Sequence, residues 1–143
     1  MIRIREIDHV VIRARDQQRL VRFYCDVLGC NVDRRQDEIG LVQLRAGRSL
    51  IDIISVDGKL GRMGGAPPGT EGHNMDHLCL RVEAFDVDAI RAHLIVHGAK
   101  IGDSGSRYGA EGEGPSLYLF DPEGNMLELK GPSDVPESGV TGT

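Results

Sequence analysis

The sequence predicts an α+β fold built from two βαβββ modules, and an internal repeat is the main evidence. Residues 7–13 (IDHVVIR) return as residues 75–81 (MDHLCLR), so His9 and His77 occupy equivalent places 68 positions apart in a chain of 143 residues. Each copy is a run of β-branched and aliphatic residues, which favours a buried strand. A helical pattern and three strand-like segments follow each copy. The repeat therefore covers a whole supersecondary unit rather than one strand.

The first module is predicted over residues 4–57. After its first strand, Asp16 is a good N-cap, because its carboxylate can accept hydrogen bonds from the first turn of a helix. Gly29 is expected to end that helix. The apolar residues at helical spacing between these two positions are Leu20, Phe23, Tyr24, Val27 and Leu28. Three strand-like segments complete the module near residues 31–35, 39–45 and 48–56.

The second module is predicted over residues 75–131 and repeats the same order. Asp86 takes the N-cap position, and Gly98 ends the helix. The apolar stripe of this helix consists of Val87, Ile90 and Leu94. The strand-like segments lie near residues 99–104, 115–120 and 125–130, and the turn sequence DPEG joins the last two.

The segments outside the modules differ in composition. Residues 58–74 are rich in glycine and proline, which indicates a linker, and residues 132–143 form a polar tail that we expect to be disordered. Residues 102–114 are also rich in glycine. They lack the Gly-Lys-Ser/Thr ending of a phosphate-binding loop, so we interpret them as a mobile flap beside the site.

Composition and charge exclude several partners. The net charge is −5 and there is no basic run, which argues against binding to nucleic acid. No apolar stretch approaches the roughly 20 residues that would span a membrane, and the N-terminus lacks the apolar core of a signal peptide. The three cysteines form no Cys-x-x-Cys motif, so reduced thiols and a cytoplasmic location are expected.

Two histidines at equivalent places in the repeat suggest a metal site. Because residues alternate across a strand, His9 and His77 point away from the apolar residues beside them. Glu128 lies between two leucines on the last strand of the second module, and Asp52 is its counterpart in the first. Imidazole and carboxylate groups suit Zn²⁺, Ni²⁺, Mn²⁺ or Fe²⁺. From the pattern alone, core histidines and local Asp-His hydrogen bonds remain open as the alternative.

Four segments resemble the vicinal-oxygen-chelate superfamily, which includes glyoxalase I, extradiol dioxygenases and fosfomycin-resistance proteins. They are residues 7–12 (IDHVVI), 23–29 (FYCDVLG), 75–78 (MDHL) and 116–129 (SLYLFDPEGNMLEL). The resemblance implies that the two modules form a cupped, partly open mixed β-sheet site. It also implies one divalent metal ion held by His9, Asp52, His77 and Glu128. Asp52 departs from the Glu usual at its position and is one methylene shorter, so it is a ligand, a base or a bystander.

The resemblance implies a metal-dependent enzyme similar to lactoylglutathione lyase. In such a lyase or isomerase, Glu128 or Asp52 would remove a proton next to a metal-chelated carbonyl of a small-molecule substrate. The alternatives are a non-haem iron dioxygenase, a fosfomycin-modifying enzyme and a drug-binding protein of the bleomycin-resistance type. The resemblance further implies a homodimer, with the site closed either within one chain or across two.

Overall fold

Two four-stranded sheets, one in each half of the chain, confirm the predicted α+β fold. The computed structural model describes residues 1–135. The chain divides into two units, Met1–Asn74 and Met75–Thr143, and each unit contains one sheet. No helix in the described part of the chain has both the length and the apolar character needed to cross a membrane.

The first unit follows the predicted β-α-β-β-β order. Its sheet has the strand order β1-β4-β3-β2, with β1 parallel to β4 and the other neighbours antiparallel. A short 3₁₀ helix, Asp37–Ile39, precedes β3. The elements are β1 (His9–Ala14), α1 (Gln17–Asp26), β2 (Asn31–Gln36), β3 (Leu41–Ala46), β4 (Ser49–Ser55) and α2 (Lys59–Arg62).

Helix α1 begins where the sequence predicts and ends slightly earlier. The Asp16 side chain accepts a hydrogen bond from the Arg19 backbone N–H at 3.1 Å, so the predicted N-cap is confirmed. The helix ends at Asp26, and Gly29 follows in the left-handed region with φ 75°. Glycine has no Cβ to clash there, which explains why the chain turns at this residue. The buried side of the helix consists of Leu20, Val21, Phe23 and Tyr24.

The second unit repeats the topology with the strand order β5-β8-β7-β6. Asp86 caps its helix by accepting hydrogen bonds from the N–H groups of Asp88 and Ala89, both at 3.1 Å. The Asp121 carboxylate accepts from the Asn125 N–H at 3.0 Å and so fixes the predicted turn before the last strand. The elements are β5 (Leu78–Arg81), α3 (Val87–Val96), β6 (Lys100–Gly109), β7 (Gly112–Phe120) and β8 (Met126–Lys130).

Residues 102–114 belong to a β-hairpin rather than to a loop, whereas the mobility expected of this segment stays a prediction. Strands β6 and β7 pair from Lys100↔Phe120 to Gly109↔Gly112, so the glycines lie within paired strands and at the turn. Sheet hydrogen bonds join backbone groups, and they form whatever the side chain. Gly112, with φ 107°, takes a conformation that side chains disfavour and closes the hairpin.

The predicted linker and tail have partners among the described residues. Helix α2 lies in the segment 58–74, and the Arg15 guanidinium donates to the Pro68 carbonyl at 2.8 Å. In the tail, the Asp134 N–H donates to the Glu113 carbonyl at 2.7 Å. The remainder of the predicted disordered tail, residues 136–143, lies outside the described residues.

Each sheet has one apolar face and one face with polar residues. In the first sheet, Ile12, Leu44 and Ile53 are fully buried, whereas Val11 on the opposite face is 48% exposed. This alternation was predicted for β1, and it leaves His9 on the face away from the core. The buried core of the second sheet consists of Leu117, Leu119, Leu127 and Leu129.

Candidate metal centre

The structure brings His77 and Glu128 together in the second unit. The imidazole Nε2 of His77 lies 3.2 Å from Oε1 of Glu128. Glu128 stands on β8 between two buried leucines, and the β5–β8 register places it opposite Cys79, two residues after His77. Only 6% of Glu128 is exposed. A carboxylate buried to this extent needs partners, because an unpaired charge there is costly.

Ser116 supplies the second partner of the Glu128 carboxylate. The Ser116 hydroxyl donates to Oε2 of Glu128 at 2.7 Å, and both residues are buried. A hydrogen bond to an ionised acceptor is short and strong, so it fixes the orientation of the carboxylate. Tyr118 lies opposite Glu128 on β7. Burial, followed by the negative charge of Glu128, raises the pKa of the Tyr118 hydroxyl.

Both candidate histidines are held by the aspartate that precedes them. Asp76 Oδ2 lies 2.5 Å from Nδ1 of His77, and Asp8 Oδ1 lies 2.7 Å from Nδ1 of His9. The local Asp-His pair that the sequence left open is therefore present in both modules. It is compatible with metal binding, because a carboxylate on Nδ1 orients the ring and leaves Nε2 for the metal. The Asp8 hydrogen bond, reinforced by the charge of Asp52, raises the pKa of His9 above 6.5.

Asp52 has a different partner from Glu128. It is buried on β4, and the Gln43 side-chain amide donates to both of its carboxylate oxygens, at 3.2 and 3.3 Å. Within residues 1–135, no hydrogen bond or ion pair joins Asp52 to His9. The negative charge of Asp52, after the Asp8 hydrogen bond, contributes to the raised pKa of His9.

The residues present fit a divalent metal ion in their donor chemistry. Two ligand atoms on one tetrahedral ion, each bound at about 2.0–2.1 Å, lie about 3.3 Å apart. The 3.2 Å between His77 Nε2 and Glu128 Oε1 is close to that separation, and it is also the distance of a direct ion pair. Across the described residues, no group of three or more His, Cys, Asp or Glu side chains is arranged around one point. The complete set of His9, Asp52, His77 and Glu128 therefore stays a prediction.

Aromatic and cationic groups extend the site beyond the predicted residues. The Tyr118 ring meets the His77 ring edge to face, with centroids 5.4 Å apart. The Tyr118 ring has a second contact: the Arg107 guanidinium carbon lies 4.7 Å from the ring centre. Such a cation–π contact stabilises a guanidinium beside an aromatic ring. Arg107, Tyr118 and His77 thus form a continuous series of ring and guanidinium contacts that leads to Glu128.

The surroundings of Cys79 disfavour a thiolate nucleophile at this site. Partial burial, followed by the charge of Glu128, raises the pKa of the Cys79 thiol to about 11. At neutral pH this thiol is protonated, whereas the thiolate is the nucleophilic form. Cys25, Cys30 and Cys79 are all free.

The sequence did not identify Ser116, Tyr118 or Gln43 as members of the site. The signal that could have found Ser116 and Tyr118 is the alternation along β7, where polar positions interrupt an otherwise apolar strand. Assigning them to Glu128 requires the β7–β8 register, which the turn at residues 121–124 determines. Gln43 requires the corresponding β3–β4 register.

Comparisons with known proteins agree with this fold. The family model described as the Glyoxalase/Bleomycin resistance protein/Dioxygenase superfamily matches residues 6–129. The virulence protein STM3117 of Salmonella typhimurium is 28% identical over 129 residues, which are 88% of this chain and 83% of that protein. Its crystal structure superposes with a TM-score of 0.72 at 23% identity, covering 92% of this chain and 99% of that one.

Two further solved structures share the fold. One is the lactoylglutathione lyase of Agrobacterium tumefaciens, with a TM-score of 0.61, 18% identity and coverage of 88% and 92% of the two chains. The other is the fosfomycin resistance protein FosX of Listeria monocytogenes, with a TM-score of 0.67, 15% identity and coverage of 92% and 97%. At these identities the likeness concerns the fold alone.

Proposed function

Because the chain belongs to the glyoxalase/bleomycin resistance protein/dioxygenase superfamily, we propose that it is a metal-dependent lyase or isomerase acting on a small molecule. The reaction would move a proton at a carbon next to a metal-chelated carbonyl. One observation carries this proposal: the buried Glu128 carboxylate is oriented by Ser116 and stands at ligand separation from the Nε2 atom of His77. A purely structural carboxylate needs hydrogen bonds, but it has no need of a histidine held in place by a second acid.

The proposed ligands are His9, His77 and Glu128, holding one Zn²⁺, Ni²⁺, Mn²⁺ or Fe²⁺ ion. In each histidine the preceding aspartate engages Nδ1, so Nε2 is the atom available for binding. When bound, the ion would supply Lewis-acid chemistry by polarising two adjacent oxygens of the substrate.

Asp52 is the residue we favour as the base. Glu128 already has two partners, His77 and Ser116, and is suited to a fixed role. Asp52 is one methylene shorter and is held by the neutral amide of Gln43. One Asp52 oxygen would accept the proton, while Gln43 retains the other oxygen and so keeps the acid in position. The same oxygen would return the proton to the neighbouring carbon, which completes an isomerisation.

We also propose that the working unit is a cytoplasmic homodimer. The outer strands of the two sheets, β1 and β2 in one and β5 and β6 in the other, have a single strand neighbour within the described sheets. Such edges are usually covered, and a twofold dimer can cover them with one repeated contact. The three free cysteines are typical of a reducing compartment.

The proposal is tested by metal analysis followed by an activity screen. We expect about one divalent ion per untagged chain. His77→Ala should lower occupancy sharply, whereas His73→Ala, which removes an exposed histidine four residues earlier, should leave it unchanged. Full occupancy in His77→Ala would show that the ligand set is wrong.

Activity is then screened with methylglyoxal–glutathione, catechols and fosfomycin. Conversion without consumption of oxygen supports a lyase or isomerase. Oxygen uptake with catechols would instead identify a dioxygenase, and turnover of fosfomycin alone would identify a modifying enzyme. A protein that binds these compounds without converting them, and that holds no metal, would be a binding protein.

A further inference from the structure

Arg107 shares a sheet face with the Glu128 carboxylate. The β6–β7 register pairs Arg107 with Gly114, and paired residues in an antiparallel sheet point to the same side. Ser116 and Tyr118 follow at alternate positions on β7, and Tyr118 lies opposite Glu128 on β8. The guanidinium therefore stands on the side of the second sheet that carries the candidate ligands, not on the side that forms the core.

The Arg107 guanidinium has a buried donor without an acceptor. Its Nη1 atom is inaccessible to solvent and has no hydrogen-bond partner among the described residues. Gly105 makes room for this placement, because a Cβ added there would lie 3.3 Å from Nη1. Buried donors in proteins are almost always paired, and a water molecule or an ion from outside the chain is one of the explanations for an orphaned donor.

The two acids nearest the turn of the same hairpin are engaged elsewhere. Glu111 accepts from the Arg81 guanidinium, with one contact at 2.5 Å and another at 3.2 Å, and Glu113 accepts from the Ser106 hydroxyl at 3.0 Å. Over the described ranges no ion pair neutralises Arg107, and its guanidinium contacts the Tyr118 ring. A fixed guanidinium with a free charge is the group best suited to bind a planar or tetrahedral oxyanion.

We infer that Arg107 binds an oxyanion of the substrate, so that the substrate is a small molecule with a carboxylate or a phosphoryl group. This inference rests on the proposed function, since it places the anion on the sheet face that carries His77 and Glu128. Arg107 is a binding and specificity residue. Its contact with Tyr118, which in turn contacts His77, connects it to the candidate ligands His77 and Glu128.

The inference is tested with three small probes in calorimetric or NMR titrations. Acetate represents a carboxylate, methylphosphonate represents a phosphoryl group, and acetamide is the neutral analogue of acetate. We expect at least one anion to bind while acetamide does not, and we expect Arg107→Met to weaken that binding about ten- to a hundredfold. Arg107→Lys, which retains the charge but loses the planar fork, should fall between the two.

Arg22→Met is the matched control, because Arg22 is exposed on α1 and the change in net charge is the same. It should bind the anion as the unmodified protein does, and melting curves check that all variants are folded. The inference is overturned if neither anion binds, if Arg107→Met binds as well as the unmodified protein, or if Arg22→Met loses as much affinity.

The titrations are run with and without added Mn²⁺. A protein that binds no metal contradicts the proposed function, but its anion titration still reports on Arg107. The two failures are therefore distinguishable.

Discussion

Removal of the Ser116 hydroxyl is the sharpest perturbation of the candidate site. Ser116 is 1% exposed and donates to Oε2 of Glu128 at 2.7 Å. In Ser116→Ala, this oxygen of a buried carboxylate loses its hydroxyl donor, and His77 remains as the partner of the other oxygen. A hydrogen bond to a charged group contributes about 1.5–3 kcal/mol, so we expect the free energy of unfolding of the metal-free protein to fall by about this amount.

Metal affinity should fall as well, because a ligand oriented by an outer hydrogen bond binds more tightly than one that is free to rotate. Loss of such an outer partner typically weakens metal binding about 10- to 100-fold. Urea unfolding measures the stability, and competition with a chromophoric chelator measures the metal affinity. Ser106→Ala is the matched control: its hydroxyl also donates to a glutamate, Glu113, at 3.0 Å, but on the exposed hairpin. It should change stability by no more than about 0.5 kcal/mol and leave metal affinity unchanged.

The two measurements separate a structural role from a metal-binding role. If Ser116→Ala loses stability but binds metal as tightly as the unmodified protein, Glu128 is not a ligand, and the reasoning about the site fails. If both quantities are unchanged, the hydrogen bond does not determine the orientation of Glu128. An equal loss of metal affinity in Ser106→Ala would show that the effect is not specific to the site.

Two further substitutions and one mass measurement test separate parts of the proposal. The His9 pKa should lie above 6.5 and should fall in Asp8→Asn, which NMR titration of the ring protons measures; an unchanged pKa would contradict the role of Asp8. Because the pKa of His9 is raised in the folded protein, protonated His9 stabilises the fold. This stabilisation is complete below pH 6.5 and is lost as the pH rises through the pKa of His9 in the folded state. Asp52→Ala should reduce activity more than metal content if Asp52 is the base, and equal losses would make it a ligand. Sedimentation should give twice the chain mass of 15.6 kDa, whereas a monomer at all micromolar concentrations would refute the dimer.

The sequence was sufficient for the fold because the relevant signals are local or repeated. Asp16 and Asp86 each mark the start of a helix as its N-cap. The repeat around His9 and His77 gives each element of the fold a second, independent copy in the sequence. The loop prediction for residues 102–114 fails because glycine content describes what a chain can do when unpaired, whereas this segment pairs with itself across the Gly109–Gly112 turn and with residues 115–117 of β7. The Ser116 hydroxyl that donates to Glu128 and the Gln43 amide that donates to Asp52 were not predicted for a related reason. Both hydrogen bonds cross between strands and depend on the strand register.

The two modules use one backbone design for two chemically different carboxylates. In the parallel strand pairs, Asp52 lies opposite Val11 and Glu128 lies opposite Cys79. Val11 follows His9 by two residues, as Cys79 follows His77, so the two registers are equivalent. The difference therefore lies in the side chains and their neighbours, not in the strands.

The antiparallel pairing shows which neighbours differ. Where Ser116 stands opposite Lys130 in the second module, the equivalent pair in the first module is Leu41 and Ile54, and it offers no hydroxyl. Asp52, shorter and without that donor, is held instead by the amide of Gln43. A longer carboxylate with a strong donor and a nearby histidine suits a fixed ligand, whereas a shorter one on a neutral amide can accept and release a proton. The repeat thus provides two equivalent positions, and the proposed function would use their side-chain differences to divide metal binding from proton transfer between them.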